Sequence, residues 1–324
     1  MPTSSTPAEK NITLGSLGEF GLIASVTAGR TQPPSTLLGP GDDAAVVAAP
    51  DGRVVACTDV LVEGVHFRLD WSTPEQVGRK AAAANLADVA AMGAVPTALL
   101  VGLACPPDTD VPMLQALTDG LWAEAALAGA GVVGGDVASA GQLVLSVTAL
   151  GTLEGRHPVT RAGARPGDVL AVVGRIGWAA AGLAVLGRGF RSPVAVVGAH
   201  RVPEPPYEAG PRAAVAGATS MIDVSDGLLA DLGHVARASG VRFDVRSAAL
   251  EIPARLADVG RALGIDPLHW LLTGGEDHAL VATFPGVVPD GWTVIGEAQE
   301  GAPEVLVDGR AYEGGPAGWE HFTT

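Results

Sequence analysis

The sequence predicts a mixed α/β protein, α+β in arrangement, built as two domains, and three observations carry that prediction. The chain has 324 residues, of which 48% are hydrophobic and only 17% charged, enough to bury two cores and too apolar to stay disordered. Apolar, β-prone runs alternate with alanine- and leucine-rich segments of helical spacing. A polar connection bearing Gly and Pro, residues 155–167, separates two such units. The expected organisation is a flexible tail over 1–14, an N-terminal domain over 15–153 and a C-terminal domain over 154–324.

Taken in order, residues 18–28 form a short helix with Phe20, Ile23 and Ala24 on one side. The runs 44–49 and 53–56, joined by Pro50-Asp51-Gly52, predict a hairpin, because Asp-Gly between β-prone runs suits a tight turn. That pairing sets Asp43 and Asp59 side by side at strand ends. Ser72-Thr73-Pro74-Glu75 is a helix start, with a hydroxyl to cap, Pro in the first turn and an acid at the positive end of the dipole. This helix runs to about Met92, stops at Gly93 and carries Asn85 and Asp88 near its C-terminal end, where a carboxylate opposes the dipole.

A strand over 97–104 and a helix over 110–129 follow. A short strand then ends in a Gly134-Gly135-Asp136 turn, and 142–153 is another strand. In the second half, 168–173 is a strand, and 176–186, 194–200 and 209–217 are helical. A further strand ends at Asp223, with Ser225 or Asp226 capping the next helix. Gly274-Gly275-Glu276-Asp277 is a turn presenting acids ahead of a strand over 279–284. From Trp292 onward, short strands alternate with turns.

The net charge of −15 argues against a nucleic-acid partner, which needs a Lys/Arg surface. It leaves room for small phosphorylated substrates held through Mg²⁺, whose charge reverses the local electrostatics. Two cysteines, Cys57 and Cys105, give neither a disulfide framework nor a zinc site, and the expected location is the cytoplasm. Residues 1–11 lack a secretory signal pattern. The uncharged stretch 89–107 is broken by Gly93, Pro96, Gly102 and Pro106, so no membrane partner is expected.

No P-loop, dinucleotide fingerprint, nucleophile elbow or HExxH is present. What remains is a set of acids near element ends: Asp43, Asp59, Asp88, Asp136, Asp223 and Asp226. Each alone is explained as a cap or a solvated turn. Together they suit several Mg²⁺ ions, which prefer carboxylate and water oxygens and supply charge neutralisation for phosphoryl transfer.

GDDAAVV, TDVLVEGVHF, NLADVAAMGA, GGD, VTRAGARPGD, IDVSDGL and LTGGEDHAL occur in that order. On these motifs the chain, from about residue 15 to 322, resembles the thiamine-monophosphate kinase family of the PurM-like (aminoimidazole ribonucleotide synthetase-like) superfamily. The resemblance implies a homodimer whose N-terminal domains pair into a shared β-barrel. It implies direct transfer of the ATP γ-phosphate onto thiamine monophosphate, with no covalent phosphoenzyme and no strong general base. By motif, Asp43, Thr58, Asp59, Asp88, Asp136 and Asp223 would hold Mg²⁺, and Asp226 a further ion. Gly135, Asp136, Arg161 and Ser225 would contact ATP, and His66, Glu276 and Trp319 the thiamine phosphate.

Two positions depart from the family pattern. Cys57, in the metal group, stands where Ser is common, and a thiol is a poor Mg²⁺ ligand through its side chain. His278 replaces the usual Tyr and is expected at the edge of the site. The alternative functions are another ATP-using enzyme of the superfamily, such as a selenophosphate synthetase or aminoimidazole ribonucleotide synthetase, or a maturation protein on the same fold. Neither cysteine lies in the flexible Gly-rich segment that the first of these requires.

Overall fold

The computed structural model describes residues 12–40 and 44–319. Its N-terminal half is one four-stranded sheet with helices on one face. Before the sheet come α1 (Leu14–Leu17) and α2 (Glu19–Thr27), then the two-stranded pair β1 (Thr36–Leu38) and β2 (Val46–Val47). The sheet itself uses β3 (Val55–Val62), β4 (Val95–Cys105), β5 (Gly131–Ser139) and β6 (Val144–Thr152) in the order β3-β6-β4-β5. Between them run α3 (Pro74–Ala91) and α4 (Val111–Leu127). α3 begins as its sequence demands: the Thr73 hydroxyl accepts the Gln76 N–H, Gln76 reaches back to the Thr73 N–H, and Pro74 follows the cap.

Helices α3 and α4 approach backbone to backbone. A Cβ on Gly78 would lie 1.9 Å from the Leu117 carbonyl oxygen, and one on Gly120 would lie 2.0 Å from that of Glu75. Their apolar faces (Val77, Ala81, Leu86, Leu114, Leu117, Leu121) bury Leu99, Leu145 and Val147 of the sheet. Burial of this face, at about 25 cal/mol per Å² of apolar surface, holds the unit together.

The C-terminal half holds a seven-stranded sheet. Its strands are β7 (Val169–Val173), β8 (Ser220–Val224), β9 (Arg242–Val245), β10 (Ala279–Phe284), β11 (Thr293–Gln299), β12 (Val305–Val307) and β13 (Arg310–Ala311), in the order β13-β12-β9-β11-β7-β10-β8. The helices are α5 (Trp178–Gly187), α6 (Val194–Arg201), α7 (Ala209–Val215), α8 (Leu228–Ser239), α9 (Ala254–Leu263) and α10 (Pro267–Thr273). One core forms around Leu232, Phe243, Leu256 and Trp270. A smaller one on Met221, Leu280 and Phe284 takes in Ala91 from the end of α3 and Ala213 from α7. Gly210 of α7 comes so close to α3 that a Cβ there would sit 1.9 Å from the Ala90 carbonyl oxygen. Helix α3 thus belongs to both halves and forms the seam between them.

The hairpin expected over 44–56 does not form. β2 pairs with β1, while β3 pairs antiparallel with β6 along its whole length, from Val55 opposite Gly151 to Val62 opposite Val144. The distant β6 offers far more ladder than the local turn. Asp51 instead ties the turn to the chain beyond the sheet, accepting the N–H groups of Arg53 and Gly155. Asp59 consequently lies within β3, and Asp43 falls outside the described residues.

Gly134-Gly135-Asp136 is no turn either, since β5 runs through it to Ser139. Gly135 is required there by close approach, as a Cβ would lie 2.0 Å from the Val101 carbonyl oxygen of the parallel neighbour β4. No helix among the described residues is long and apolar enough to cross a membrane.

Candidate active site

The C-terminal turn of α3 organises the site. Asn85, fully buried, accepts the Asp59 N–H on Oδ1 (3.0 Å) and donates from Nδ2 to the Ala81 carbonyl (3.0 Å), so it fixes β3 against the helix. The Cys57 thiol donates to the Asn85 carbonyl at 3.2 Å. Cys57 and Asp59 face α3 because they alternate inward along β3 with Leu61. Burial, with Asp88 and Asp59 nearby, pushes the Cys57 thiol far up, which keeps it from acting as a thiolate.

Three carboxylates from three elements converge beside it: Asp59 on β3, Asp88 on α3 and Asp223 on β8. Burial and then the Asp223 and Asp59 charges push the Asp88 carboxyl well above the ordinary carboxylate range. Asp59 is raised by burial and by Asp223, against the pull of His278. Asp223, only 3% exposed, accepts a hydrogen bond from His278, Nδ1 to Oδ2 at 3.0 Å. Burial lowers the His278 imidazole, yet Asp223 outweighs it and the net shift is upward. His278 therefore stands at the centre of the cluster and not at its edge. Its backbone is left-handed (φ 53°), as is that of Glu276 (φ 67°), which aims both side chains out of the turn before β10.

The two acids of that turn part company. Glu276 reaches α3, where Lys80 Nζ lies 2.8 Å away, whereas Asp277 is buried and accepts the Ala179 N–H at the start of α5. The Glu276 N–H donates to the Ser225 carbonyl (2.7 Å), and the Trp319 N–H to that of Asp226 (3.0 Å), so Ser225, Asp226, Glu276 and Trp319 form one neighbourhood. His66 joins through its own carbonyl, which accepts from Lys80 at 3.1 Å, while its Nδ1 accepts the Val62 N–H.

Neither Ser225 nor Asp226 caps α8. Gly227 is the N-cap, with φ 138°, and the Asp231 carboxylate reaches back from within the helix to accept the N–H groups of Asp226 (3.1 Å) and Gly227 (3.0 Å). Sequence reasoning had no reason to single out Asp231, since an acid in a first helical turn is ordinary and Glu19 and Glu75 are placed likewise. Burial, followed by the Asp223 charge, pushes its carboxyl up to about 8. With the folded value above the unfolded 3.8, the folded state binds more protons, so Asp231 lowers stability as pH rises from about 4 through 8. Asp231→Asn keeps the acceptor and removes the charge. Its stability advantage over the wild-type chain in urea melts is expected to grow across that window and level off above it; a constant difference would refute the assignment.

Other residues lie apart within one chain. Thr58 points to the opposite face of β3 from Asp59, donating to the Val147 carbonyl and accepting from Thr148. Gly135 and Asp136 are exposed on β5, at the far edge of the sheet, roughly 14 Å from β3 by strand spacing. Arg161 is exposed, and its carbonyl accepts the Ser239 hydroxyl.

Three of the acids fit a hard divalent ion by donor type and by the mutual repulsion such an ion would relieve. Among the described residues no three His, Cys, Asp or Glu side chains stand close enough to grip one ion directly. Mg²⁺ keeps several waters, so carboxylates at wider spacing still suit it.

Residues 41–153 match the AIR synthase related protein, N-terminal domain, and residues 165–307 its C-terminal domain. A thiamine-monophosphate kinase of Mycobacterium tuberculosis is 54% identical over 316 residues, 97% of this chain and 95% of that one. Among solved structures, the thiamine-monophosphate kinase of Stenotrophomonas maltophilia K279a aligns with a TM-score of 0.77 at 33% identity, over 90% of this chain and 95% of that one. AaThiL complexed with AMPPCP and TMP aligns with a TM-score of 0.78 at 32% identity, over 97% of this chain and 100% of that one. With two matching domains and a relative of such identity along nearly its whole length, the chain belongs to the thiamine-monophosphate kinase family of PurM-like proteins.

Proposed function

We propose that the protein phosphorylates thiamine monophosphate to thiamine diphosphate at the expense of ATP. The full-length likeness to a structure holding AMPPCP and TMP carries this reading, and the acid cluster on the α3 seam supports it. Asp59, Asp88 and Asp223, with Asp43, Asp136 and Asp226, would hold Mg²⁺, with Thr58 and Cys57 alongside. When bound, such ions neutralise phosphate charge and bring donor and acceptor into line.

The chain's own residues do the rest. Asn85 and His278 orient Asp59 and Asp223. Gly135, Asp136, Arg161 and Ser225 receive ATP, Arg161 by forking onto phosphate oxygens. His66, Glu276 and Trp319 receive the thiamine phosphate, with the Trp319 ring as a face for a cationic heterocycle. The acceptor phosphate is itself the nucleophile, so no side chain need remove a proton. We assign the protein to the cytoplasm as a homodimer, with its N-terminal unit ending near 153.

The test is to incubate the protein with ATP, Mg²⁺ and thiamine monophosphate, with free thiamine in parallel, and to separate the products by chromatography. Thiamine diphosphate is expected from the monophosphate alone. No product in either tube would overturn the proposal.

A further inference from the structure

Glu276 is met by two groups to which the reading above gives no role. Lys80 on α3 places Nζ 2.8 Å from Oε1, and His200 on α6 places Nδ1 3.1 Å from Oε2. Both oxygens of one carboxylate thus face a nitrogen, one from the seam helix and one from the C-terminal half, although the His200 Nδ1 contact is too far off line to be a hydrogen bond. The choice of lysine is itself informative. Lys10 and Lys80 are the only lysines among 20 basic residues, and the Lys80 side chain is just 6% exposed. An ammonium is buried only when paired, and its compact head fits where a guanidinium fork would not.

The position along α3 says what this group faces. Lys80 and Asp88 are eight residues apart on one helix, about 12 Å along its axis. Glu276 is two residues from His278, which holds Asp223. The site is therefore elongated, with the acid cluster at one end and Glu276 at the other. A phosphorylated heterocycle of that length would set its phosphate at the acids and its ring at Glu276.

We propose that Lys80 is a positioning residue that holds the Glu276 carboxylate, with His200 packed against its other oxygen, as a fixed hydrogen-bond acceptor for the ring end of the substrate. This deepens, and rests on, the thiamine monophosphate reading. Burial pushes the Glu276 carboxyl up, but Lys80 and His200 outweigh it and hold it well below the ordinary carboxylate range. Burial also pushes His200 down, so the group is a neutral assembly of one cation, one anion and an uncharged imidazole. Such an assembly selects a donor-bearing ring by hydrogen bonding and fit, in preference to net charge.

The experiment is steady-state kinetics on the full chain. Lys80→Met is expected to raise KM for thiamine monophosphate about tenfold or more, leaving kcat and KM for ATP within about threefold. Because that change strands a carboxylate, Lys80→Met/Glu276→Gln, uncharged at both positions, is measured beside Glu276→Gln alone. If Lys80 acts through Glu276, the double variant is no worse than the single one.

An unmoved KM, a fall in kcat alone, or multiplying effects in the double variant would overturn the proposal. Should Lys80→Met not fold, the comparison of Glu276→Gln with the double variant decides. Absence of thiamine monophosphate turnover by the unaltered protein would remove the functional reading first. Turnover with an unmoved KM in the Lys80 variant removes only this proposal.

Discussion

Asp88→Asn is expected to cut kcat by roughly a thousandfold or more while leaving the protein at least as stable as before. Two features of the position make this the most damaging single change. Asp88 is the acid carried by the seam helix α3, and both Asp59 and Asp223 raise its carboxyl, so it is the member of the cluster that feels both the others. A carboxylate that is destabilised by burial, by like charges and by the C-terminal end of a helix is costly to the fold. An amide of the same shape removes that cost. Thermal melts in the presence of chelator should therefore show Asp88→Asn melting at or above the wild-type temperature. Added Mg²⁺ should raise the wild-type melting temperature and move the variant less. Turnover above a tenth of wild type, or a large loss of stability without the ion, would exclude Asp88 from the proposed metal site.

The sequence made much of this legible, and where it failed the cause is physical. Helix α3 was readable end to end, because Thr73, Pro74 and Gln76 form its cap locally and Gly93, at φ 71°, ends it. The acids Asp59, Asp88 and Asp223 stood out by type and placement, and the fold brings them together. Strand partners were not readable. Asp51-Gly52 signals a turn, but nothing near it reveals that β3 will pair with residues 144–151 in preference to 46–47. Glycines at Gly134 and Gly135 look alike whether they turn the chain or admit a neighbouring backbone, and only the parallel strand β4 decides. The stretch holding β9, α9 and α10 carries local signals as well, among them the Asp266 side chain capping α10 ahead of Pro267 and the left-handed Gly264 closing α9. Lys80, His200, Asp231 and His278 were missed or misplaced for a shared reason. Their roles depend on partners 196, 76, 5 and 55 residues away or on a backbone turn, and no local pattern encodes such a contact.

Val60→Asp is expected to separate the proposed dimer and to lower turnover about a hundredfold. Helices α3 and α4 lie on one face of the four-stranded sheet, and the register fixes which residues take the other. Thr58 lines up with Thr148, Leu100 and Gly134, while Val60 lines up with Ser146, Gly102 and Asp136. That face is small and apolar for a surface exposed to water, with Val60 50% and Leu100 37% exposed. Packing against the same face of a second copy would bury it and form a barrel from two sheets. Thr58 and Asp136, which the single chain keeps apart from Asp59, both lie on it, so the state of this face bears on the proposed site as well as on assembly. An aspartate at position 60 would bury an unpaired charge in that apolar contact. Light scattering after gel filtration should give close to twice the chain mass of 32.5 kDa for the wild type, and the single mass for the variant. A variant that stays dimeric places the interface elsewhere. One that is monomeric and fully active shows that Thr58 and Asp136 act without a partner.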